Sequence, residues 1–213
     1  MTRARIEADA ALELIARHSA WVDAGSPDVA PFDADCLTLF DTDLAPVTVS
    51  ETSLAGARLI RCDLSGATFD RCDFSAAMLT DCILRGTRFT ACRFRKAELM
   101  GSDAREAVFV GSSMTRVDLS GADLRHADLS GCDLGWAWLT NTDLRFASLD
   151  RVNLDGARLV RTRLFSARRF ALGQLDRTII TDVTVDEAAA GPPASGTPAL
   201  DGLRVQADRE GPG

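Results

Sequence analysis

The chain has few side chains suited to chemistry near neutral pH. Its 213 residues include no tyrosine and two histidines, His18 and His126, and Lys96 is the only lysine. No run approaches the about eighteen apolar residues of a membrane-spanning helix. The first twenty residues carry Arg and Glu where a signal peptide would have an apolar core. We therefore expect a soluble, cytoplasmic protein that neither acts at a membrane nor performs acid–base catalysis.

The charge balance also limits the function. With 24 basic and 31 acidic residues the formal net charge is −7, so we do not expect direct nucleic-acid binding. Hydrophobic residues make up 46% of the chain, which is enough to bury a core. The chain is therefore expected to fold, and an acidic surface could face a basic partner.

The dominant feature is a repeat of five residues. Every fifth residue from Leu39 to Leu164 gives 26 positions, and 23 of them are Leu or Phe. The position two before each is Ala, Cys, Ser, Thr or Val, apart from Leu37. A period of five fits neither the 3.6 of a helix nor the 2 of a strand. It predicts a chain that turns a corner every five residues and points one large and one small residue inward.

Three motifs carry a family resemblance: residues 62–66 (CDLSG), 122–126 (ADLRH) and 127–131 (ADLSG). They resemble the pentapeptide repeat proteins, and the resemblance covers residues 37–166 without an insertion. It implies an all-β solenoid, a right-handed quadrilateral β-helix with four pentapeptides in each coil. The 26 repeats would form about six and a half coils.

The ends of the solenoid need caps, because open coils expose unpaired backbone. We predict an N-terminal helical cap and linker in residues 1–36, where one helical face carries Ile6, Ala10, Ala11, Leu14, Ile15 and His18. The register slips by one residue after Leu164, which predicts a degenerate last coil or C-terminal cap in residues 167–187. Residues 188–213 are poor in apolar side chains and rich in Gly and Pro, and we predict a disordered tail.

The six cysteines and the recurrent aspartates have structural explanations. Five cysteines occupy the small inward position: Cys62, Cys72, Cys82, Cys92 and Cys132. We expect them to be reduced core thiols. The chain has no Cys-x-x-Cys pair for zinc and too few histidines for a triad, so we predict no cofactor, no metal and no enzymatic activity. The aspartates recur with the repeat, which makes them turn or surface residues first.

One of the four outer faces is predicted to be apolar. The residues beside the centres Leu39 to Leu159, taken every twenty, include Phe40, Ile60, Met78, Met100, Trp138 and Val160. Trp136 would extend this stripe. Such a concentration exceeds scattered surface apolars. Either the N-terminal segment covers the stripe, or it is a partner or dimer face, and the pattern leaves both open.

The resemblance also implies a partner. Family members of the quinolone-resistance (Qnr) type and related immunity proteins bind DNA gyrase and topoisomerase IV through a DNA-like acidic surface, which implies resistance or self-immunity to topoisomerase poisons. Residues 37–166 carry only −1 of the −7 net charge, so the candidate acidic patch is local. It comprises Asp118, Asp123, Asp128, Asp133, Asp143, Asp150 and Asp155. The alternative is a protein–protein interaction scaffold that uses the apolar face and is unrelated to topoisomerase.

Overall fold

The protein is described by a computed structural model that covers residues 8–23, 37–168, 177–186 and 203–206. Within these residues lie one helix and nine short strands. They are α1 (Ala8–Asp23), β1 (Thr38–Phe40), β2 (Thr48–Ser50), β3 (Arg58–Ile60), β4 (Thr68–Asp70), β5 (Arg88–Thr90), β6 (Arg158–Val160), β7 (Ile179–Thr181), β8 (Val183–Asp186) and β9 (Leu203–Gln206). The strands belong to a β-solenoid of about 7 turns, which confirms the predicted β-helix.

The coil length is twenty residues. Every pairing between coils is parallel, and before the last coil it joins residues twenty apart, as in Leu39 with Leu59 and Phe69 with Phe89. Elsewhere only one residue on each side of a coil is paired, and these isolated bridges continue the four ladders between the strands. Four pentapeptides therefore complete one coil, and adjacent coils lie about 4.8 Å apart.

Each corner depends on a left-handed residue. From Asp41 to Ser166 every fifth residue has a positive φ, except Pro46, which follows a cis peptide bond. Only eight of these residues are glycine. At alternate corners up to Ala97, and at every corner from there to Ala157, the centre carbonyl accepts a bond from the N–H three residues on, as in Ala57 N to Leu54 O at 3.0 Å. A β-turn with a positive φ at its third residue is the type II form, so the pentapeptide is largely a turn.

The core is built from the two inward positions. The large side chains stack from coil to coil, and the ring centroids of Phe69, Phe89 and Phe109 are 5.2 and 5.0 Å apart. The small polar side chains bond to a centre carbonyl of the coil below. Thr87 Oγ1 donates to Leu64 O at 2.7 Å. The described side chains therefore leave no buried nitrogen or oxygen without a partner.

Helix α1 closes the N-terminal end of the solenoid. Ala11, Ile15 and His18 are buried against the first coil, whereas Ala10 is exposed, so that the apolar face is narrower than predicted. Ile6 lies outside the described residues. No described helix is long and apolar enough to cross a membrane. The cap therefore rests on a few buried contacts at one end of the rod.

The C-terminal end differs in part from the prediction. The one-residue slip occurs, because Leu159 pairs with Ile180, twenty-one residues on, and Arg163 bridges Thr184. Beyond it β9 pairs with β8 in parallel, Val185 opposite Val205. The predicted disorder of residues 188–213 is therefore wrong for Leu203–Gln206. Local composition missed this strand because its partner lies twenty residues away. The other boundaries of the predicted domains stay predictions.

Candidate interaction surface

Face 1 is defined here as the side of the solenoid that carries β1, β3, β6 and β7 and the bridges between them. All six residues of the predicted stripe lie on it, in two outward rows on either side of the buried centres. Phe40 is 47% exposed, Met100 37% and Trp138 54%. The remaining members are half-buried: Ile60, Met78 and Val160. The row that contains Phe40 and Met100 has no charged residue from coil to coil. Face 1 therefore has one uncharged outward row beside a row in which Met78 and Trp138 alternate with charged residues.

The described helix does not cover this surface. The contacts of α1 go to the end of the rod: His18 Nε2 is 3.1 Å from Ala55 O, and Leu37 N donates to His18 Nδ1 at 2.9 Å. Ser53 N donates to Ser19 Oγ at 3.1 Å. Residues 1–7 and 24–36, the rest of the N-terminal segment, lie outside the described residues. Both alternatives for the stripe therefore stay predictions.

Trp136 extends face 1 at the neighbouring corner and is 61% exposed. Its ring lies against the backbone of Gly156, one coil further on. A Cβ at Gly156 would come within 2.7 Å of the ring, and Gly156 has a φ of +69°. Other corners adopt a similar φ with a side chain, so it is the close approach of the indole that requires glycine here.

Four charges on face 1 are unmatched within the described residues. They share the row that contains Met78 and Trp138, and they are Arg58, Glu98, Asp118 and Arg158. None of them forms an ion pair, with nitrogen and oxygen within 4.0 Å, with any described residue. Along the row, Met78 separates Arg58 from Glu98, and Trp138 separates Asp118 from Arg158. Each opposite-charge pair therefore lies two coils apart, about 10 Å.

Face 2, the neighbouring side that carries the bridges Asp103, Asp123 and Asp143, is built differently. Each aspartate accepts a two-point bond from the arginine two residues on. Arg125 Nη2, for example, lies 2.7 Å from Asp123 Oδ2. Arg105 also approaches Asp123 at 3.7 Å, so that the pairs join into a ladder. Face 2 presents balanced charge, and its cations and anions are partners of each other.

The ladder shifts the pKa values of its carboxylates. Hydrogen bonds from Arg105 and then Arg85, against an opposing effect of burial, lower the pKa of Asp103 to about 2. At Asp143 burial alone would raise the pKa, but the bonds from the Arg145 side chain and N–H outweigh it and lower the pKa. Both carboxylates are therefore held in the ionised form by neighbouring guanidinium groups.

The structure does not bring the predicted acidic patch together. Face 3 is the side that carries β2, β4 and β5, and face 4 is the side that carries the bridges from Ser53 to Asn153. Asp118 lies on face 1, and Asp123 and Asp143 lie on face 2. Asp128 and Asp150 lie on face 3, and Asp133 and Asp155 lie on or beside face 4. Four of the seven have an arginine partner: Asp123, Asp143, Asp150 and Asp155. The seven carboxylates thus encircle the C-terminal coils and do not form one surface.

A recurrent local role explains why these aspartates are so frequent. The Oδ1 atom of Asp118 accepts the N–H of Ser120 at 2.9 Å, and that of Asp128 accepts the N–H of Ser130 at 3.0 Å. The same bond recurs through the repeat, at Asp63, Asp73, Asp123, Asp133 and Asp143 among others. This Asx turn fixes the backbone just before the next corner residue. The sequence-based interpretation as turn residues is consistent with these bonds.

The side chains most suggestive of catalysis are not coupled to each other. His126, Asp128 and Ser148 line a cavity of about 410 Å³ between faces 2 and 3. His126 stacks on Phe146 at 4.9 Å, and Ser148 Oγ is 3.0 Å from Ser130 Oγ. Among the described hydrogen bonds none links the imidazole to Asp128 or Ser148. The described residues also contain no group of three His, Cys, Asp or Glu that could hold a metal ion.

The five repeat cysteines are free and buried, as predicted. Cys132 Sγ donates to Phe109 O at 2.8 Å, the same bond that Thr and Ser make at the equivalent position. Burial raises the pKa of the Cys132 thiol to about 12. A thiol of that kind is a packing residue and a poor nucleophile. Cys36 lies outside the described residues.

Two features were missed at the sequence level. His18 joins α1 to the first coil, and the only signal was its place on the apolar face of the helix. The ladder on face 2 was also missed. Its signal was an arginine two residues after an aspartate at positions twenty apart, as in residues 103–105, 123–125 and 143–145.

The comparisons with known proteins concern the repeat. A family model described as "Pentapeptide repeats" matches in 8 copies over residues 50–86, 92–131 and 127–164. No curated protein sequence matches the chain significantly.

Several solved structures match this chain. A trypsin-treated variant of QnrB1, described as a plasmid-mediated fluoroquinolone resistance protein, has 16% identity and a TM-score of 0.41, and the match covers 82% of this chain and 91% of that one. HetL from the cyanobacterium Nostoc, described as involved in heterocyst differentiation regulation, has 22% identity over 78% and 79% of the two chains and a TM-score of 0.28. Rfr23 from the cyanobacterium Cyanothece has 19% identity over 56% and 85%, with a TM-score of 0.31. All three TM-scores are below 0.5, so these matches carry no argument about this chain.

Proposed function

The chain belongs to the pentapeptide repeat family, and we propose that it acts without catalysis, as a protein-binding rod whose binding surface is face 1. The observation that carries this proposal is the concentration of exposed Phe40, Met100, Trp136 and Trp138 on and beside one of four faces. Large exposed apolar patches are typical of protein interfaces, and tryptophan is enriched among residues that dominate binding energy.

The construction of the rod supports the same proposal. Backbone bonds join each coil to the next on both sides, and the side chains of face 1 project from strands and bridges, not from long loops. A surface held in this way loses little conformational entropy when a partner docks. The five described thiols suit a reducing compartment, so we place the protein in the cytoplasm as part of the proposal.

A photo-crosslinking residue at two matched positions tests the proposal. Met100 on face 1 is 37% exposed, and Val110 on face 3 is 38% exposed. In cells, a crosslinker at position 100 should form adducts with protein, and one at position 110 should not. Trp138→Asp should remove the adducts at position 100. Equal labelling at both positions, or none at position 100, would overturn the proposal.

A second candidate function is a DNA-mimicking binder of DNA gyrase or topoisomerase IV that gives resistance or self-immunity to topoisomerase poisons. The supporting observation is that Asp118, Asp128 and Asp133 have no arginine or lysine partner among the described residues. They could therefore meet a basic surface. The spread of the acidic residues over four faces and the balanced charge of the ladder weigh against it.

Supercoiling assays with gyrase, with and without a fluoroquinolone, test this second function at micromolar protein. The triple variant Asp118→Asn, Asp128→Asn, Asp133→Asn keeps the Asx acceptors and removes three charges. It should lose any protection or inhibition, whereas Asp123→Asn, which removes a paired charge, should lose much less. Absence of both effects with the wild-type protein would exclude this function.

A further inference from the structure

We propose that face 1 binds a second copy of this chain, antiparallel, about a two-fold axis that passes beside Trp138. This inference rests on the proposed function, because it names the partner of the same surface. It follows from the order of charges along one outward row of face 1. In that row Asp118, Trp138 and Arg158 follow one another at one-coil intervals.

The symmetry of such a pair decides which residues meet. When two identical rods pack face to face in antiparallel orientation, the two-fold axis runs across the rods in the interface. Each outward row then faces the same row of the other copy. A residue one coil before the axis faces the residue one coil after it.

With the axis at Trp138, Asp118 of each copy faces Arg158 of the other. Two intermolecular ion pairs result, from charges that form no ion pair with any described residue of their own chain. Trp138 meets its own copy at the centre, and Trp136 lies at the adjoining corner of both copies. Four exposed indoles would be flanked by two charge pairs, which matches the usual arrangement of an aromatic centre and a polar rim.

The other registers are less favourable. An axis midway between Glu98 and Asp118 would overlap the most coils, but it places Arg58 against Arg158 and Glu98 against Asp118, and like charges repel. An axis at Met78 pairs Arg58 with Glu98. Its centre, however, is a half-buried methionine with Ala76 at the adjoining corner in place of Trp136. An axis half a coil before Trp138 would place Asp118 against that indole, and an axis half a coil after it would place Asp118 against Ile179.

The interface is small, so the pair should be weak. The overlap runs from about the coil of Glu98 to that of Ile179, roughly 20 Å at the spacing of adjacent coils. Interfaces of this size are characteristic of weak or transient complexes, with dissociation constants on the order of micromolar or above. Sedimentation velocity up to about 0.5 mM protein covers this range.

Charge exchange between two variants gives the decisive experiment. Asp118→Arg alone and Arg158→Asp alone each place like charges opposite one another in a homodimer, and each should weaken self-association at least tenfold. An equimolar mixture of the two should dimerise again, because arginine at position 118 of one chain then faces aspartate at position 158 of the other. The double variant should also recover self-association.

Matched variants establish the register. Glu98→Arg should leave the dissociation constant of the homodimer within about twofold of the wild-type value, since Glu98 faces no charge in the proposed pair. Mixed with Arg158→Asp, it should pair with that variant no more tightly than the wild-type chain does. Rescue by Glu98→Arg and not by Asp118→Arg would overturn the Trp138 axis. Trp138→Asp should abolish association, and a single cooperative thermal unfolding transition would show that each variant is folded.

The result separates this inference from the proposed function. A wild-type chain that remains monomeric up to about 0.5 mM overturns the self-pairing, as does failure of the mixed variants to dimerise. Crosslinked adducts at position 100 with twice the mass of the chain support it. Adducts only with a different protein overturn the self-pairing and leave the protein-binding function of face 1 in place.

Discussion

Faces 1 and 2 share a backbone, a coil length and a core, and they differ only in their outward rows. On face 2 the carboxylates of Asp103, Asp123 and Asp143 are matched by arginines within the chain. On face 1 Asp118 and Arg158 are separated by an exposed tryptophan, and neither has such a match in the part of the chain that the structure describes. The difference shows that folding and binding use different positions of the same five-residue repeat.

The reason lies in what holds the coils together. Backbone bonds between residues twenty apart and two inward side chains per repeat recur on every face. The outward positions contribute much less to the stability of the fold, because their side chains keep contact with water. An outward row can therefore be balanced internally or left for a partner without changing the coil.

The largest loss of stability is expected when an ion pair of face 2 is removed. Asp143 is 8% exposed and bonds to the Arg145 guanidinium at 2.8–2.9 Å. Asp143→Ala leaves a half-buried cation without its partner and should lower the free energy of unfolding by about 2 kcal/mol. Asp118→Ala on face 1 loses only a turn bond and should cost about 1 kcal/mol or less. Urea unfolding measures both, and equal losses would contradict the contrast between the faces.

A smaller effect is expected from acid. The folded pKa of Asp103 is about 2, below the roughly 4 of an unfolded aspartate, because of its bonds to Arg105 and Arg85. Its contribution to stability is therefore present above pH 4 and lost as the pH falls towards 2. Asp103→Asn should therefore reduce the dependence of the melting temperature on pH between pH 4 and 2. Arg105→Gln should reduce it too, and an unchanged slope in both would mean that the ladder does not stabilise the fold.

The smallest effect is expected from the apolar rows of face 1. Thr80 and Thr140 occupy the same row as Met100, so threonine fits this site. Met100→Thr and Trp138→Thr should each change the free energy of unfolding by no more than about 0.5 kcal/mol, because both side chains are exposed. Urea denaturation is the measurement. A loss above about 1 kcal/mol would show that Trp138 stabilises its own chain.

Much of this fold could be predicted because the repeat is short and regular. The centres from Leu39 to Leu164 are buried, the corners fall every five residues, and the register slips after Leu164 as expected. The location of the apolar stripe on one face followed from the coil length alone. Its exposure could not be predicted, since it depended on where α1 docks.

Other properties required distances in three dimensions. Seven aspartates close together in sequence suggested one acidic patch, but aspartates five residues apart, such as Asp123 and Asp128, lie on different faces. Their pairing with arginine depends on side-chain direction, which the period does not specify. Strand β9 escaped prediction for a related reason, because its stability comes from β8 and not from its own composition.

The sequence by itself determined the corners and the core, because a period of five puts Leu or Phe at every fifth position and a small residue two before it on the inside of each turn. The four-sided coil was implied by the family resemblance. Only the tertiary structure decided which surface is available. Stacking of coils places Arg145 on Asp143, docks α1 at the end of the rod and leaves Trp136 and Trp138 in contact with water. Exposure and ion pairing are properties of neighbouring coils, and no single repeat contains that information.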